Sequence, residues 1–225
     1  MPQTAPFESH TERYDRWFIR HDAAYVSELL AVRAALPVGG LGLEIGVGSG
    51  RFAAPLGVAL GVDPSIRMLA AAQRRGIAVA CAVAEALPFR DQSFDRALII
   101  TTICFVDDPA AMLREARRVL KPHGKLVIGF IDREGDLGPH YLAHQLGDVF
   151  YRDAKFFSAR EVDRLLSTSG FGRREWLQTL SAPLERTVDV EAVRTGVGHG
   201  AFVVVCAQPS ASSAAAELTV QAAYD

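Results

Sequence analysis

The stretch Leu41-Gly42-Leu43-Glu44-Ile45-Gly46-Val47-Gly48-Ser49-Gly50-Arg51-Phe52 decides how the rest of the chain is read. Its first part, residues 41–45, has the composition of a short buried strand. Glycines at alternate positions then interrupt the run before a helix opens. Glycine lets the backbone turn tightly and lets a ligand approach without a Cβ in the way. The first turn of the helix that follows offers unpaired N–H groups. Strand, glycine loop and helix N-terminus in that order form a place where a small molecule can lie against backbone.

Working outward, strands and helices alternate. Residues 58–62 read as a second strand, and 65–75 as a helix with Ser65 at its start and Gly76 just past its end. Strands follow at 77–83 and 94–101. A helix at 109–120 carries Pro109 in its first turn, where the missing N–H costs little. Residues 121–124 read as a turn and 125–131 as a fifth strand. This alternation predicts βαβ units and a doubly wound, mostly parallel sheet.

On the N-terminal side, residues 1–12 are polar and read as frayed. From Thr11 the pattern is helical, with Tyr14, Trp17, Phe18, His21, Tyr25 and Leu29 on one face, until Pro37 and Gly39-Gly40 end it. On the C-terminal side, residues 132–157 break the rhythm with glycines, Pro139 and a concentration of aromatic and His residues. Long irregular segments in compact domains are usually functional. Ser158 and Glu161 form a capping box for a helix that ends at Gly170. Two last strands fall at 175–180 and 201–207, and a Ser/Ala-rich tail follows. The expected organisation is one domain over 1–208, with a helical cap at 11–36, a cofactor-binding core at 41–131, a lid or acceptor segment at 132–157 and a disordered tail at 209–225.

With 24 basic and 26 acidic side chains the formal charge is −2. That balance argues against broad electrostatic binding to nucleic acid or an anionic membrane. Lys occurs only at 121, 125 and 155. The other basic residues are Arg, a bias that reads as coding composition rather than as phosphate sites. Cys81, Cys104 and Cys206 lie in apolar runs without metal spacing and read as reduced, buried thiols. The longest apolar run, residues 77–84, is far short of the roughly 20 residues a membrane span needs. The N-terminus has no basic segment followed by an apolar one, so no signal peptide is expected and the location expected is cytoplasmic.

Two glycine-loop chemistries compete at 44–50. A dinucleotide fingerprint G-x-G-x-x-G started at Gly46 puts Arg51 at its sixth position. Started at Gly48 it puts Ala53 there, which the variant pattern allows. A phosphate loop fails because no G-K-[ST] follows. Four ordered segments carry a resemblance: LGLEIGVGSGRF at 41–52, GVDPSIRML at 61–69, AEALPFRDQSFD at 84–95 and EARRVLKPHGKLVI at 115–128. Together they resemble the motifs of class I S-adenosylmethionine-dependent methyltransferases, of the type 11 group.

That resemblance implies a Rossmann-like sheet of seven strands, the last antiparallel, beneath an N-terminal helical cap. It implies S-adenosyl-L-methionine as cofactor. Gly46, Gly48 and Gly50 would pass beside its methionine part, and Glu44 would orient the loop and help hold the amino group. Asp63 would take both ribose hydroxyls, and Pro64 would pack on the adenine. Asp63 has a simpler reading as a cap of the Ser65 helix. Family members often carry Asp where Val83 stands, so Ala84 and Glu85 are carried over for the adenine. His123 replaces a usual Gly in a turn remote from the site.

Methyl transfer needs alignment and exclusion of water more than a protein nucleophile. The end of the fourth strand, residues 101–105, should face the methyl group, with Thr101 counted among the cofactor-binding residues; candidates for the acceptor side are Thr102 there, and Tyr14, Trp17 and His21 on the N-terminal face. Tyr141, with His140 and His144, comes from the irregular segment. Simple packing is the alternative reading for each. The Asn/Asp-Pro-Pro-aromatic signature of DNA-base amino methylation is missing. His140 and His144 lack the Glu of a metalloprotease helix, and no metal is expected. The acceptor expected is a small molecule, on a monomer or homodimer. An NAD(P)-dependent oxidoreductase and a non-catalytic S-adenosylmethionine-binding protein are the alternatives.

Overall fold

The computed structural model describes residues 4–210. Of the tail expected at 209–225, everything from residue 211 lies outside them, and Pro209 ends a strand instead. Strands β1 (Gly42–Ile45), β2 (Leu60–Asp63), β3 (Ala78–Cys81), β4 (Phe94–Ile100), β5 (Leu120–Ile131), β6 (Phe171–Thr179), β7 (Arg194–Thr195) and β8 (Phe202–Pro209) form one sheet. Its order is β3-β2-β1-β4-β5-β8-β6-β7. The first five strands pair in parallel, and β8 runs antiparallel between β5 and β6. The eighth strand, beyond the seven expected, is β7. It adds two exposed residues to the edge, opposite Leu177 and Gln178. Such a stub has no apolar alternation by which to be recognised.

Helices cover both faces, which is why the central strands are continuous apolar runs. Along β4, Ala97 and Ile99 face Met112 and Leu113 of α6 (Pro109–Val119) and Val162 and Leu166 of α8 (Ala159–Thr168). Leu98 and Ile100 face the other way. They meet Phe18 of α2 (Thr11–Arg20), Val32 of α3 (Asp22–Ala35) and Leu69 of α5 (Ile66–Arg74). Local chemistry sets the helix starts. Ser65 accepts the Met68 N–H, Asp108 accepts the Ala111 N–H, and Ser158 with Glu161 closes a full capping box.

Several local expectations change. Residues 1–12 are not a frayed end from Ala5 on. A further helix, α1 (Ala5–Ser9), sets the Phe7 ring against Tyr14, Phe105 and Phe150 at 5.8, 5.1 and 5.3 Å. The helical region after it is divided at His21. The turn expected at 121–124 is a bulge inside β5, whose register jumps from Phe94↔Leu120 to Arg96↔Lys125. Cys81 is exposed, because β3 is the sheet edge, whereas Cys104 is buried and Cys206 partly so. The irregular segment contains α7 (Gly138–His144) and a single 3-10 turn at Gln145–Gly147. Among the described residues no helix is long and apolar enough to cross a membrane.

Candidate active site

The strand order reverses between β1 and β4, so the connections leaving their carboxyl ends diverge and leave a crevice. A cavity of about 490 Å3 lies there. Its floor is the glycine loop. Gly46 and Gly48 line the cavity with φ of +75° and +50°, values that glycine adopts freely. A Cβ on Gly46 would strike the Thr102 side chain. Gly50, at φ +82°, does not line the cavity. It lets α5 approach, with Ala72 Cα 3.3 Å from where its Cβ would be.

Backbone bonds fasten this loop to β2. The Gly46 and Val47 N–H groups both donate to the Val62 carbonyl, at 2.8 and 2.9 Å. Asp63 completes the fastening, accepting the Gly48 N–H on Oδ2 and the Ser65 N–H on Oδ1, each at 2.9 Å. Burial raises the Asp63 carboxyl to about 6, and those two N–H bonds oppose the rise. Glu44 lies under the loop, 2% exposed, and does not line the cavity. The Ala53 N–H bonds its carboxylate, Oε2 has no partner, and burial pushes its pKa well above the usual range.

Pro64, Ala84 and Glu85 line the side of the cavity beyond β2 and β3, whereas Val83 does not. Glu85 Oε1 accepts the Asp107 and Asp108 N–H groups at 2.9 and 3.3 Å, which ties the segment after β3 to the one after β4. Thr101, at the end of β4, has φ +50°, an uncommon conformation for a β-branched residue. Its N–H donates to the Gly129 carbonyl at 2.7 Å. The Thr102 hydroxyl lies 3.0 Å from the Ile100 carbonyl and 3.3 Å from that of Gly46, so its proton is committed to backbone.

Aromatic side chains from α1, α2, α7 and the segment after it form the opposite wall. Tyr14 packs edge-on against Phe7, Phe18 and Phe150, and its hydroxyl sits 3.6 Å from where a Gly48 Cβ would be. Tyr141 lines the same wall. Burial drives the Tyr14 and Tyr141 phenols upward, followed by the charge of Glu44 for Tyr14 and of Glu28 for Tyr141. Both are therefore neutral and unsuited to act as ready bases. His21 ends α2 with its ring 5.3 Å from that of Trp17 and does not line the cavity. His140 does, with Nε2 3.5 Å from Glu185, and its ring lies 4.4 Å from that of His144. Among the described residues no group of three His, Cys, Asp or Glu could hold a metal ion.

Sequence reasoning passed over two residues. Asp15 of α2 accepts from Ser49 Oγ at 2.7 Å, Arg51 Nε at 3.0 Å and an Arg75 guanidinium nitrogen at 2.8 Å. Burial alone would raise its carboxyl, but the Ser49, Arg75 and Arg51 bonds hold it below the usual range. Glu28 of α3 is 7% exposed and lines the cavity. A signal for it exists: it shares the buried face of α3 with Ala24, Ala31 and Val32, a lone carboxylate on an apolar stripe.

A family profile described as "Methyltransferase domain" matches residues 43–128. The crystal structure of a Thermotoga maritima protein, described as a SAM-dependent methyltransferase and possible histamine N-methyltransferase, is 46% identical with a TM-score of 0.90. The alignment covers 92% of this chain and all of that one. An uncharacterized protein of Methanocaldococcus jannaschii is 43% identical over 202 residues, 90% of this chain and 98% of the relative. One from Mycobacterium tuberculosis is 42% identical over 214 residues, 92% of this chain and 75% of the relative. With this agreement in sequence and in fold, the chain belongs to the S-adenosylmethionine-dependent methyltransferases.

Proposed function

We propose that this enzyme transfers the methyl group of S-adenosylmethionine to a small molecule enclosed by the aromatic wall, by direct in-line displacement. The observation that carries the reading is the glycine loop and Asp63 facing a cavity whose far wall is aromatic. At about 490 Å3 the cavity falls in the range of small-molecule sites, about 300–1,000 Å3.

The residues present fit the cofactor. Gly46 and Gly48 offer a floor without Cβ atoms, suited to close contact with the methionine part. Each Asp63 oxygen accepts one N–H and keeps a second lone pair, so the carboxylate can still take a vicinal diol. The Ala53 N–H bond to Glu44 supports its part in orienting the loop, and a cation seated on the loop would restore its charge. Pro64, Ala84 and Glu85, which line the cavity, would take the adenine. Bound S-adenosylmethionine supplies an electrophilic methyl group on a sulfonium. The chain excludes water with Phe7, Tyr14 and Phe150 and aligns the acceptor against the β4 end at Thr101 and Thr102. Neither threonine is needed as a base.

Calorimetric titration with S-adenosylhomocysteine and, separately, with NAD tests the cofactor part. Micromolar binding of the first and none of the second is expected, and the reverse would sink it.

A further inference from the structure

Buried carboxylates are normally held by hydrogen bonds or opposite charges, because desolvation without compensation costs free energy. Glu28 departs from this. No hydrogen bond or ion pair holds its carboxylate among the described residues, although it is 7% exposed and lines the cavity. The other acidic residues on the cavity are engaged. Asp63 takes the Gly48 and Ser65 N–H groups, Glu85 takes those of Asp107 and Asp108, Asp148 takes those of Phe150 and Tyr151, and Glu185 faces His140.

The sign of the lining adds a second observation. The chain has 24 basic residues, yet no Arg or Lys lines the cavity among the described residues. Trp17, Tyr14 and Tyr141 line the same cavity, and the Glu28 charge acts on the Tyr14 and Tyr141 phenols. Aromatic faces and an unpaired carboxylate attract organic cations and repel carboxylates and phosphates.

We propose that Glu28 is the acceptor-binding residue and proton acceptor of this site, and that the acceptor is an amine on an apolar body. The inference rests on the methyltransferase reading and deepens it. The ammonium form enters, its N–H donates to the Glu28 carboxylate, and the proton passes to that oxygen. The freed nitrogen lone pair then forms the new N–C bond to the methyl carbon. The C–S bond breaks with its electron pair going to sulfur, which becomes a neutral thioether. Burial lifts the Glu28 carboxyl to about 8, so it is mostly protonated near neutrality; an entering ammonium offsets the desolvation and restores the carboxylate that then takes the proton. The groups that feel or share its environment are Tyr14 of α2, Tyr25 of α3, Tyr141 of α7 and Tyr151, with His140 and Glu185 on the same cavity.

The test is a pair of titrations on wild type and Glu28→Gln, which keeps the side-chain volume. Thermal unfolding and S-adenosylhomocysteine binding come first: near neutral pH the variant is expected to melt at or above wild type, because it no longer carries a buried acid, and to bind S-adenosylhomocysteine unchanged. The S-adenosylhomocysteine-loaded proteins are then titrated with n-butylamine, phenethylamine and tryptamine, and with 2-phenylethanol as the uncharged counterpart of phenethylamine. Wild type should prefer phenethylamine over the alcohol by at least about tenfold, and Glu28→Gln should abolish that preference. Glu28→Asp, which keeps the charge, should retain part of it.

Failure of any amine to bind wild type, equal affinity for amine and alcohol, or a preference retained in Glu28→Gln would overturn the assignment. Lost S-adenosylhomocysteine affinity in Glu28→Gln would also overturn it, placing Glu28 on the cofactor. Failure of wild type to bind S-adenosylhomocysteine would instead break the methyltransferase reading, and titrating the amines alone would still report on Glu28.

Discussion

On one side of the cavity Asp63 accepts backbone N–H bonds from Gly48 and Ser65, while on the other Glu28 accepts none. The first carboxylate is part of the fold as much as of the site. It stitches β2 to the glycine loop, and whatever binds there meets a prearranged surface made largely of backbone. The second is buried on α3 with no hydrogen bond to hold it among the described residues. A region whose polar groups bond one another is organised before a ligand arrives. A region that keeps a buried acid without a partner is organised for the ligand. The glycine-loop half is thus shaped by backbone, and the aromatic half by side chains.

The sharpest way to break the comparison is to fill the prearranged half. Gly46→Ala puts a Cβ into Thr102 and a side chain at φ +75°. Overpacking and left-handed strain together should cost about 3 kcal/mol. For a chain of this size that is a melting point lower by roughly 6–12 °C, together with loss of S-adenosylhomocysteine binding by calorimetry. A variant that melts and binds as wild type would show that this loop is not prearranged.

Asp63→Asn comes next. It keeps one acceptor and replaces the other by a donor, so S-adenosylhomocysteine affinity should fall by about tenfold to a hundredfold. The pH dependence sharpens the point. The folded state holds the Asp63 proton up to about 6, whereas the unfolded chain releases it near 4. The folded state therefore binds more protons in that window, and this carboxyl removes stability as pH rises from about 4 to about 6. Cofactor affinity should rise over the same window as the carboxylate forms. Both slopes should flatten in Asp63→Asn, as followed by melting and calorimetry at intervals of pH.

The smallest effect is expected where the two halves meet. Thr102→Val removes a hydroxyl whose proton already serves backbone carbonyls, so stability should drop by about 1 kcal/mol and kcat should change by less than about threefold. A loss of a hundredfold or more, the scale of a missing general base, would make Thr102 a participant in proton transfer.

The same division explains what could be read without coordinates. The loop at 44–50, the capping serines and the acidic end of β2 declare themselves in short stretches, because the chemistry there is local backbone chemistry. The aromatic wall was visible only as scattered pieces. Phe7 lies in a segment whose polarity hides a short helix, and its ring packs on Tyr14 of the next helix and on Phe105 and Phe150, which are remote in sequence. His21 shares the helical spacing of Tyr14 and Trp17, but α2 ends before it, and its ring packs on Trp17 without lining the cavity. Glu28 needed the opposite attention, to a polar residue where the pattern asks for an apolar one. The extra strand β7 is two residues whose only pairing partner is β6.

Asp15 has a consequence for how such an enzyme can be remade. Its carboxylate joins α2 to Ser49 and Arg51 of the glycine loop and to Arg75 at the end of α5, so the N-terminal helices are riveted to the cofactor shelf rather than hinged over it. Residues 132–157 carry no such rivet to the loop. A chimera can alter the aromatic part of the acceptor wall by exchanging that segment and still keep Glu28, whereas a graft of the N-terminal helices, which carry Glu28, succeeds only if Asp15 and its two arginines travel together.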